Sequence, residues 1–342
     1  MRVLVTGSSG YIGSLLTPLL VEAGHDVVGL DNRWFADCTF GHPQPPLVEI
    51  QKDIRDLMAD DLMGFDAVCH LAALSNDPLG NLNAELTYDI NHHASVRLAR
   101  LAKQAGVSRF VFSSSCSLYG AAGDSILTEQ ADFGPVTAYG ESKVLTERDV
   151  SNLADDCFTP VFLRNATAYG VSPRLRLDLV VNDFVASACL HGRIIIKSDG
   201  TPWRPLVHVE DICRAFLAML EAPRAAVHNQ SFNIGRTQEN YRVSEVAEMV
   251  RQTVPDCQIE YAAGGGPDKR CYRVDCEKVA RAVPEFQPQW TVRKGIAQLY
   301  EAFQQAPLRQ SDLDQQRFFR LPVLKQQMAS GAIDEQLRPC LA

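Results

Sequence analysis

A tyrosine and a lysine four residues apart are the residues of this sequence best suited to proton transfer. Tyr139 and Lys143 stand in the run Tyr-Gly-Glu-Ser-Lys, and on a helix this spacing places both side chains on one face. A tyrosine with its reference pKa of about 10 is a poor base at neutral pH, but a nearby cation favours the phenolate. The pair predicts a tyrosine acid–base group assisted by a lysine, although the same spacing also occurs by chance.

A serine-rich run, Phe112-Ser-Ser-Ser-Cys-Ser-Leu-Tyr-Gly120, follows a predicted strand and precedes this pair. A hydroxyl at the carboxyl end of a parallel strand is well placed to hydrogen-bond a reacting oxygen. Taken singly, Ser113, Ser114 and Ser117 are equally typical of a polar turn, and Cys116 is more typical of a buried small residue than of a catalytic thiol. Because no histidine or metal-ligand spacing accompanies them, we expect neither nucleophilic-cysteine chemistry nor a metal site.

Three glycines near the start of the sequence predict a phosphate-binding loop. Gly7, Gly10 and Gly13 lie between a predicted strand and a predicted helix, where glycine allows a tight turn and the helix N-terminus attracts phosphate. Asp31 ends the next strand, and a carboxylate there accepts hydrogen bonds from the ribose of NAD and repels the extra phosphate of NADP. An aspartate could instead cap a turn, and Arg33 could meet that phosphate; we predict NAD.

The elements that must position these residues alternate between short apolar strands and amphipathic helices. This alternation predicts an α/β fold of the Rossmann type, with a doubly wound parallel sheet. The predicted strands are Arg2–Thr6, Asp26–Asp31, Leu47–Lys52, Ala67–Leu71, Arg109–Ser113 and Thr159–Arg164, and the predicted helices are Ile12–Ala23, Leu86–Ala105 and Tyr139–Leu153.

The pattern loosens after about residue 166, which predicts a smaller C-terminal region that binds substrate. We predict helices at Asn182–His191, Val209–Glu221 and Val243–Thr253, a strand at Ile194–Lys197 and a flexible loop at Gly264–Pro267. The predicted organisation is a nucleotide-binding domain over residues 1–165, a substrate-binding region over 166–303, and a polar, helix-prone tail over 304–342.

Composition excludes several classes of protein. The sequence has 342 residues, 46% hydrophobic and 22% charged, as in ordinary soluble domains. Its net charge of −8 argues against nucleic acid as a partner. Ten scattered cysteines without a Cys-x-x-Cys pair favour free thiols in a reducing compartment. The sequence begins directly with a strand and has no apolar run long enough for a membrane span, so we expect a cytoplasmic protein that does not bind membranes.

Seven motifs in order resemble the extended short-chain dehydrogenase/reductases, specifically the nucleotide-sugar epimerase/dehydratase family. The resemblance covers about residues 1–303. It rests on Thr6-Gly-x-x-Gly-x-x-Gly13, Leu30-Asp-Asn32, Asp53-Ile54, His70-Leu-Ala-Ala73, Ser113–Gly120, Tyr139-x-x-x-Lys143 and Leu206-Val-His-Val-Glu-Asp211. It implies NAD as cofactor and a nucleotide-diphosphate sugar as substrate.

The resemblance also implies roles for individual residues. Ser115, Tyr139 and Lys143 would be catalytic, with Ser115 in the place of the family's catalytic Ser/Thr. The implied cofactor-binding residues, besides Tyr139 and Lys143, are Gly7, Gly10, Tyr11, Ile12, Gly13, Asp31, Asn32, Asp53, Ile54, Leu71, Ala72 and Ala73. The implied substrate-binding residues are Ser75, Ser115, Thr167, Asn182, Arg204 and Arg270, the last three as contacts of the nucleotide diphosphate.

Two departures from the family pattern bear on the reaction. Dehydratases of the family carry an Asp-Glu pair directly after the catalytic Thr, where this sequence has Cys116 and Ser117. The serine run resembles instead that of the UDP-galactose 4-epimerases. Those epimerases have an Asn three residues after the Arg of a Leu-Arg pair, where Thr167 follows Leu163-Arg164 here.

We therefore expect an NAD-dependent epimerase that acts through a transient 4-keto sugar. The alternatives are an NAD(P)H-dependent 4-ketosugar reductase, a 4,6-dehydratase, and a non-catalytic dinucleotide-sensing protein on the same fold. The family resemblance also implies a homodimer, in which Leu86–Ala105 and Tyr139–Leu153 of two subunits form a four-helix bundle.

Overall fold

The computed structural model describes residues 1–41, 47–262 and 271–340. Within these ranges the strands, in chain order, are β1 (Arg2–Thr6), β2 (Asp26–Asp31), β3 (Glu49–Gln51), β4 (Ala67–His70), β5 (Arg109–Ser115), β6 (Ala121–Leu127), β7 (Thr159–Asn165), β8 (Thr167–Tyr169), β9 (Arg193–Ile196), β10 (Trp203–His208), β11 (Gln230–Ile234), β12 (Asn240–Arg242), β13 (Gln258–Tyr261) and β14 (Cys271–Val274).

The helices of the described ranges account for most of the remaining chain. They are α1 (Gly13–Glu22), α2 (Asp77–Gly80), α3 (Ala84–Tyr88), α4 (Ala94–Gln104), α5 (Ala138–Ser151), α6 (Val180–His191), α7 (Val209–Glu221), α8 (Arg224–Val227), α9 (Val243–Thr253), α10 (Glu277–Ala282), α11 (Val292–Gln305), α12 (Gln310–Asp314) and α13 (Arg320–Ala329). None of them is both long and apolar enough to cross a membrane.

A seven-stranded parallel sheet forms the centre of the molecule, in the order β11-β7-β5-β4-β1-β2-β3. Its central strands are buried on both faces, and alternate residues point to opposite sides, so Leu4 packs in one apolar cluster while Val3 and Val5 pack in another. This arrangement confirms the predicted Rossmann-type fold. The sheet takes β11 from beyond residue 165, the predicted limit of the nucleotide-binding domain.

Short sheets and a third apolar cluster build the C-terminal region. Strand β10 pairs with β8 and β12, β9 pairs with β13, and β6 pairs with β14. Helices α6, α9 and α11 supply most of the third cluster. The predicted loop Gly264–Pro267 lies outside the described residues.

The predicted tail contains helix and is packed on the rest of the protein. Leu324, Ile333 and Leu337 are buried in the same cluster as Leu4 of the central sheet. Gln327 donates from Nε2 to the carbonyl oxygen of Trp34 at 2.6 Å. The tail therefore reaches back to the loop that follows β2.

Candidate active site

The glycine loop has the shape of a phosphate cradle. Gly7 has a positive φ of 73°, and a Cβ on Gly13 would collide with the carbonyl oxygen of Gly7. Helix α1 begins at Gly13 with Ile12 as its N-cap residue, and no side chain caps its first N–H groups. The positive end of the helix dipole thus faces the cavity described below, which fits a dinucleotide diphosphate.

Asp31 lies at the end of β2 and touches this loop. Its carboxylate accepts from the backbone N–H of Ser9 at 3.1 Å and of Arg33 at 2.7 Å. Burial raises the pKa of Asp31 to about 6, although both N–H donors favour the ionised form. The Arg33 side chain turns to Glu49, with Nε 2.6 Å from Oε1. The carboxylate of Glu49 therefore offsets the one nearby cation that the sequence suggested for NADP.

Asp53 faces the same cavity, but its carboxylate is already bound within the protein. Arg55 donates to it from its backbone N at 2.8 Å and from Nη2 at 2.7 Å. Arg338 belongs to the tail over residues 304–342, which is called the C-terminal segment below, and its Nη1 lies 3.4 Å from Oδ2 of Asp53. Asp53 thus holds the adjoining chain in place, while Ile54 beside it offers an apolar surface to the cavity.

The three predicted catalytic residues meet at the carboxyl end of β5. Tyr139 and Lys143 are buried on one face of α5, and the Ser115 side chain lies close enough to the Tyr139 hydroxyl to lower its pKa. Lys143 donates from Nζ to the carbonyl oxygen of Ser113 at 2.8 Å, and Nζ lies 5.7 Å from the centre of the Tyr139 ring. The hydroxyl groups of Ser115 and Tyr139 and the amine of Lys143 therefore lie around one point of the cavity.

Burial controls the electrostatics of this group. It raises the pKa of Tyr139 to about 12, against a lowering by the Ser115 side chain. It lowers the pKa of Lys143 to about 7. Because both shifts favour the neutral forms, Tyr139 is protonated at neutral pH and Lys143 changes charge near neutral pH.

A buried ion pair fixes α5 against the sheet. Glu147, one turn beyond Lys143, accepts from Nη2 of Arg164 in β7 at 2.8 Å and from the hydroxyl of Ser114. Cys116 is fully buried, with Sγ 3.1 Å from the carbonyl oxygen of Arg164, and burial raises the pKa of its thiol. Cys116 is therefore packed as a small apolar residue rather than exposed as an acid or base.

The predicted substrate residues do not all reach the cavity. Ser75, Thr167 and Arg204 line it. Asn182 does not: it is fully buried, and its side chain binds Gly170 and the carbonyl oxygen of Arg176. The expected contact between Asn182 and a nucleotide diphosphate is therefore corrected to a structural role. Arg270 lies outside the described residues.

One cavity of about 810 Å³ joins these parts. All the predicted cofactor residues line it, namely Gly7, Gly10, Tyr11, Ile12, Gly13, Asp31, Asn32, Asp53, Ile54, Leu71, Ala72, Ala73, Tyr139 and Lys143. Among the described residues, no cluster of three or more His, Cys, Asp or Glu side chains is suited to a metal ion.

The cavity also contains residues that the sequence did not indicate. Arg176 and Asp178 form a buried ion pair at 2.9 Å in its wall, and Arg176 also donates to Ser75 at 3.2 Å. Asp77 and Tyr272 line the cavity, and burial together with the charge of Asp77 raises the pKa of both the Tyr139 and the Tyr272 phenol. Arg320 comes from the C-terminal segment. The run Arg174-Leu-Arg176-Leu-Asp178, with charges on alternate residues, was the available signal for the ion pair.

The sequence of this chain is similar to those of several known proteins. The model of the NAD dependent epimerase/dehydratase family matches residues 3–235. A UDP-glucose 4-epimerase of Mycolicibacterium smegmatis is 31% identical over 316 residues, which cover 89% of this chain and 98% of that protein. UDP-glucuronic acid decarboxylase 1 of Arabidopsis thaliana is 26% identical over 327 residues, covering 91% of this chain and 72% of that protein.

A solved structure shows the same likeness in three dimensions. The structure of MoeE5 in complex with UDP-glucuronic acid and NAD superimposes with a TM-score of 0.78 at 30% sequence identity, covering 89% of this chain and 99% of that one. The similar proteins thus include enzymes that are named for different reactions on nucleotide sugars.

Proposed function

Because the chain belongs to the NAD dependent epimerase/dehydratase family, we propose that it interconverts the C4 epimers of a nucleotide-diphosphate sugar through a transient 4-keto sugar. The observation that carries this proposal is the meeting of Tyr139, Ser115 and Lys143 in the wall of one cavity, with Lys143 Nζ 5.7 Å from the centre of the Tyr139 ring. The same three residues are the catalytic set that the family resemblance implies.

We assign each residue a role in this reaction. Tyr139, as phenolate, takes the proton of the C4 hydroxyl and later returns it, which is general acid–base catalysis. Ser115 hydrogen-bonds the C4 oxygen as its charge changes. Lys143 supplies positive charge near the phenolate once a bound ligand favours its protonated form. Bound NAD would supply the hydride acceptor and donor that oxidation and re-reduction at C4 require.

The residues present also fit the cofactor. The N-terminal end of α1 and the glycine cradle suit its diphosphate, and Asp31 suits its adenosine ribose. The pairing of Arg33 with Glu49 supports NAD over NADP. We further propose that Thr167 and Arg204 contact the nucleotide sugar, since both line the cavity.

The structure of the serine run separates this proposal from dehydration. Elimination of the C6 hydroxyl needs an acid and a base after the catalytic Ser/Thr. Here Cys116 is buried against Arg164, and its thiol has a raised pKa. Ser117 is not an acidic group, so this position offers no catalyst for elimination.

We also propose the remaining features of the sequence-based hypothesis. These are a substrate region over residues 166–303, a cytoplasmic location and a homodimer formed through a four-helix bundle. In support of a reducing compartment, all ten cysteines are free.

The test is to incubate the purified protein with UDP-glucose, UDP-galactose, UDP-glucuronic acid and dTDP-glucose, without added NADH, and to identify the products by NMR. We expect one pair of C4 epimers to reach equilibrium with no net change in nicotinamide redox state. A product formed only with stoichiometric NADH would indicate a reductase. A 4-keto-6-deoxy sugar would indicate a dehydratase, and loss of carbon dioxide from UDP-glucuronic acid a decarboxylase.

A further inference from the structure

Arg320, the first residue of α13, has a guanidinium group that is buried without a full set of partners. The residue is 2% exposed and lines the cavity. Its Nη2 donates to the carbonyl oxygen of Arg174 at 2.7 Å, but its Nη1 is buried with no hydrogen-bond partner. A buried donor of a charged group is costly when it is left unpaired. Nη1 therefore marks a place where a ligand acceptor is missing.

The charged groups around Arg320 indicate the sign of the charge on that ligand. Arg174 and Arg176 are both close enough to lower the pKa of Arg320, and burial lowers it further, to about 10 in all. Asp178 is the carboxylate that acts on this group, and it is already bound to Arg176 at 2.9 Å. Arg320 thus lies near two other guanidinium groups, while its carboxylate neighbour Asp178 is already paired, an arrangement that an anion would stabilise.

The position of these cations points to the dinucleotide. Arg174 donates from Nε to the carbonyl oxygen of Ser9 in the glycine loop at 3.2 Å. Arg176 and Arg320 both lie close enough to Tyr11, next in that loop, to influence its phenol. The loop leads into α1, whose N-terminus is where a dinucleotide diphosphate binds.

We propose that Arg320 binds the diphosphate of NAD, so that the C-terminal segment forms part of the cofactor site. The guanidinium can donate to two phosphate oxygens, which suits a diphosphate better than a single carboxylate. This inference rests on NAD binding by the family and not on the proposed C4 epimerisation.

Three contacts hold the C-terminal segment in place for this role. Gln327 binds the carbonyl oxygen of Trp34 at 2.6 Å, Arg55 donates to the carbonyl oxygen of Gln336 at 2.9 Å, and the Arg320 guanidinium lies 4.7 Å from the centre of the Phe35 ring. The segment therefore closes over the chain that follows β2.

A nucleotide sugar also carries a diphosphate, and the experiment must separate the two sources. Arg320→Met keeps an unbranched stem beside Phe35 and removes the charge, while Arg320→Lys keeps a charge without the forked donors. Lys325→Ala is the matched control, because Lys325 is an exposed cation five positions further along α13. Thermal unfolding of each NAD-free variant checks that it folds.

NAD affinity of the NAD-free proteins is measured by calorimetry, and UDP affinity is measured on NAD-loaded proteins. We expect Arg320→Met to weaken NAD binding at least about tenfold and to reduce its dependence on salt, with Arg320→Lys intermediate and Lys325→Ala unchanged. UDP affinity should stay within about twofold in every variant. Equal NAD affinities in the parent protein and Arg320→Met, or a loss confined to UDP, would overturn the proposal whether or not the protein proves to be an epimerase.

Discussion

Tyr139 offers the most direct test of the chemistry, because its ring packs in the protein while only its hydroxyl reacts. Tyr139→Phe removes the group that gives and takes the C4 proton. We expect turnover to fall by roughly 10²–10⁴-fold, the usual loss for a general acid–base group, with little change in substrate affinity. Steady-state kinetics on the substrate identified by NMR measures both, and near-normal turnover would remove Tyr139 from the mechanism.

Asp31 gives a prediction for pH. Its pKa in the unliganded protein is raised to about 6, and the ionised carboxylate is the form that accepts from the ribose hydroxyls. Protonation therefore competes with NAD, and affinity is lost as the pH falls through about 6. We expect binding at pH 5 to be roughly tenfold weaker than at pH 7 by this linkage. Calorimetry from pH 5 to 8 tests this prediction.

The matched variant for that titration is Asp31→Asn. It should bind NAD weakly at every pH, with a much flatter profile between pH 5 and 7, because the group that titrates is gone. A parent protein whose affinity does not change over this range would contradict the assigned role of Asp31.

Individual site residues differ in how well their roles can be predicted from the sequence. Tyr139, Lys143 and Ser115 stand in short motifs with fixed spacing, so their meeting was predictable from local patterns. Asn182 resembles a contact of the nucleotide, yet its amide serves the backbone around Gly170. Arg320 is one of four arginines in a polar tail, and only the folded chain brings it to the cavity. Long-range contacts of this kind leave no periodic signal.

At the scale of elements, the buried pair Glu147–Arg164 joins the catalytic helix α5 to the sheet. Glu147→Gln would leave the Arg164 charge buried and poorly compensated. We expect a loss of about 3 kcal/mol in the free energy of unfolding, as when one partner of a buried pair is removed. Urea unfolding at equilibrium measures the change.

Glu248→Gln is the matched control, because Glu248 makes an exposed ion pair with Arg251 at 2.6 Å. Such pairs contribute little in water, so this variant should unfold almost as the parent protein does. If the two variants unfolded alike, the buried pair would not be the anchor of α5.

The bounds of the helices show which features cannot be predicted from the apolar periodicity of the sequence. Helices at Val209–Glu221 and Val243–Thr253 were predicted with the observed bounds. The predicted helix Leu86–Ala105 is instead α3, a π-helical turn at Asp89–His93, and α4. In that turn the Asn91 side chain binds the backbone of Leu74 at 2.8 and 3.0 Å. Because the turn depends on a distant loop, the local pattern does not reveal it.

At the scale of the whole molecule, the family resemblance makes a prediction about assembly. Two hydrogen-bonded pairs join α5 to the chain that precedes α4, His92 with Asp149 and Tyr88 with Glu141, each at 2.7 Å. Leu145 is partly exposed on α5. We expect a homodimer at micromolar concentration by light scattering. Leu145→Arg should weaken it by placing a charge in the bundle, and a monomeric parent protein would contradict the prediction.

The cavity wall runs from Gly7 to Arg320, and this has a consequence for synthesis on the ribosome. At about 5–20 residues per second, on the order of 15–60 s separate the emergence of the glycine loop from that of Arg320. Until β11 emerges, β7 is an unprotected edge of a growing parallel sheet, which is a site for wrong pairing. The nascent chain therefore passes through a period in which the phosphate loop exists but its C-terminal partner does not. The contact between Arg320 and NAD that we propose can therefore form only when almost the whole sequence has left the ribosome.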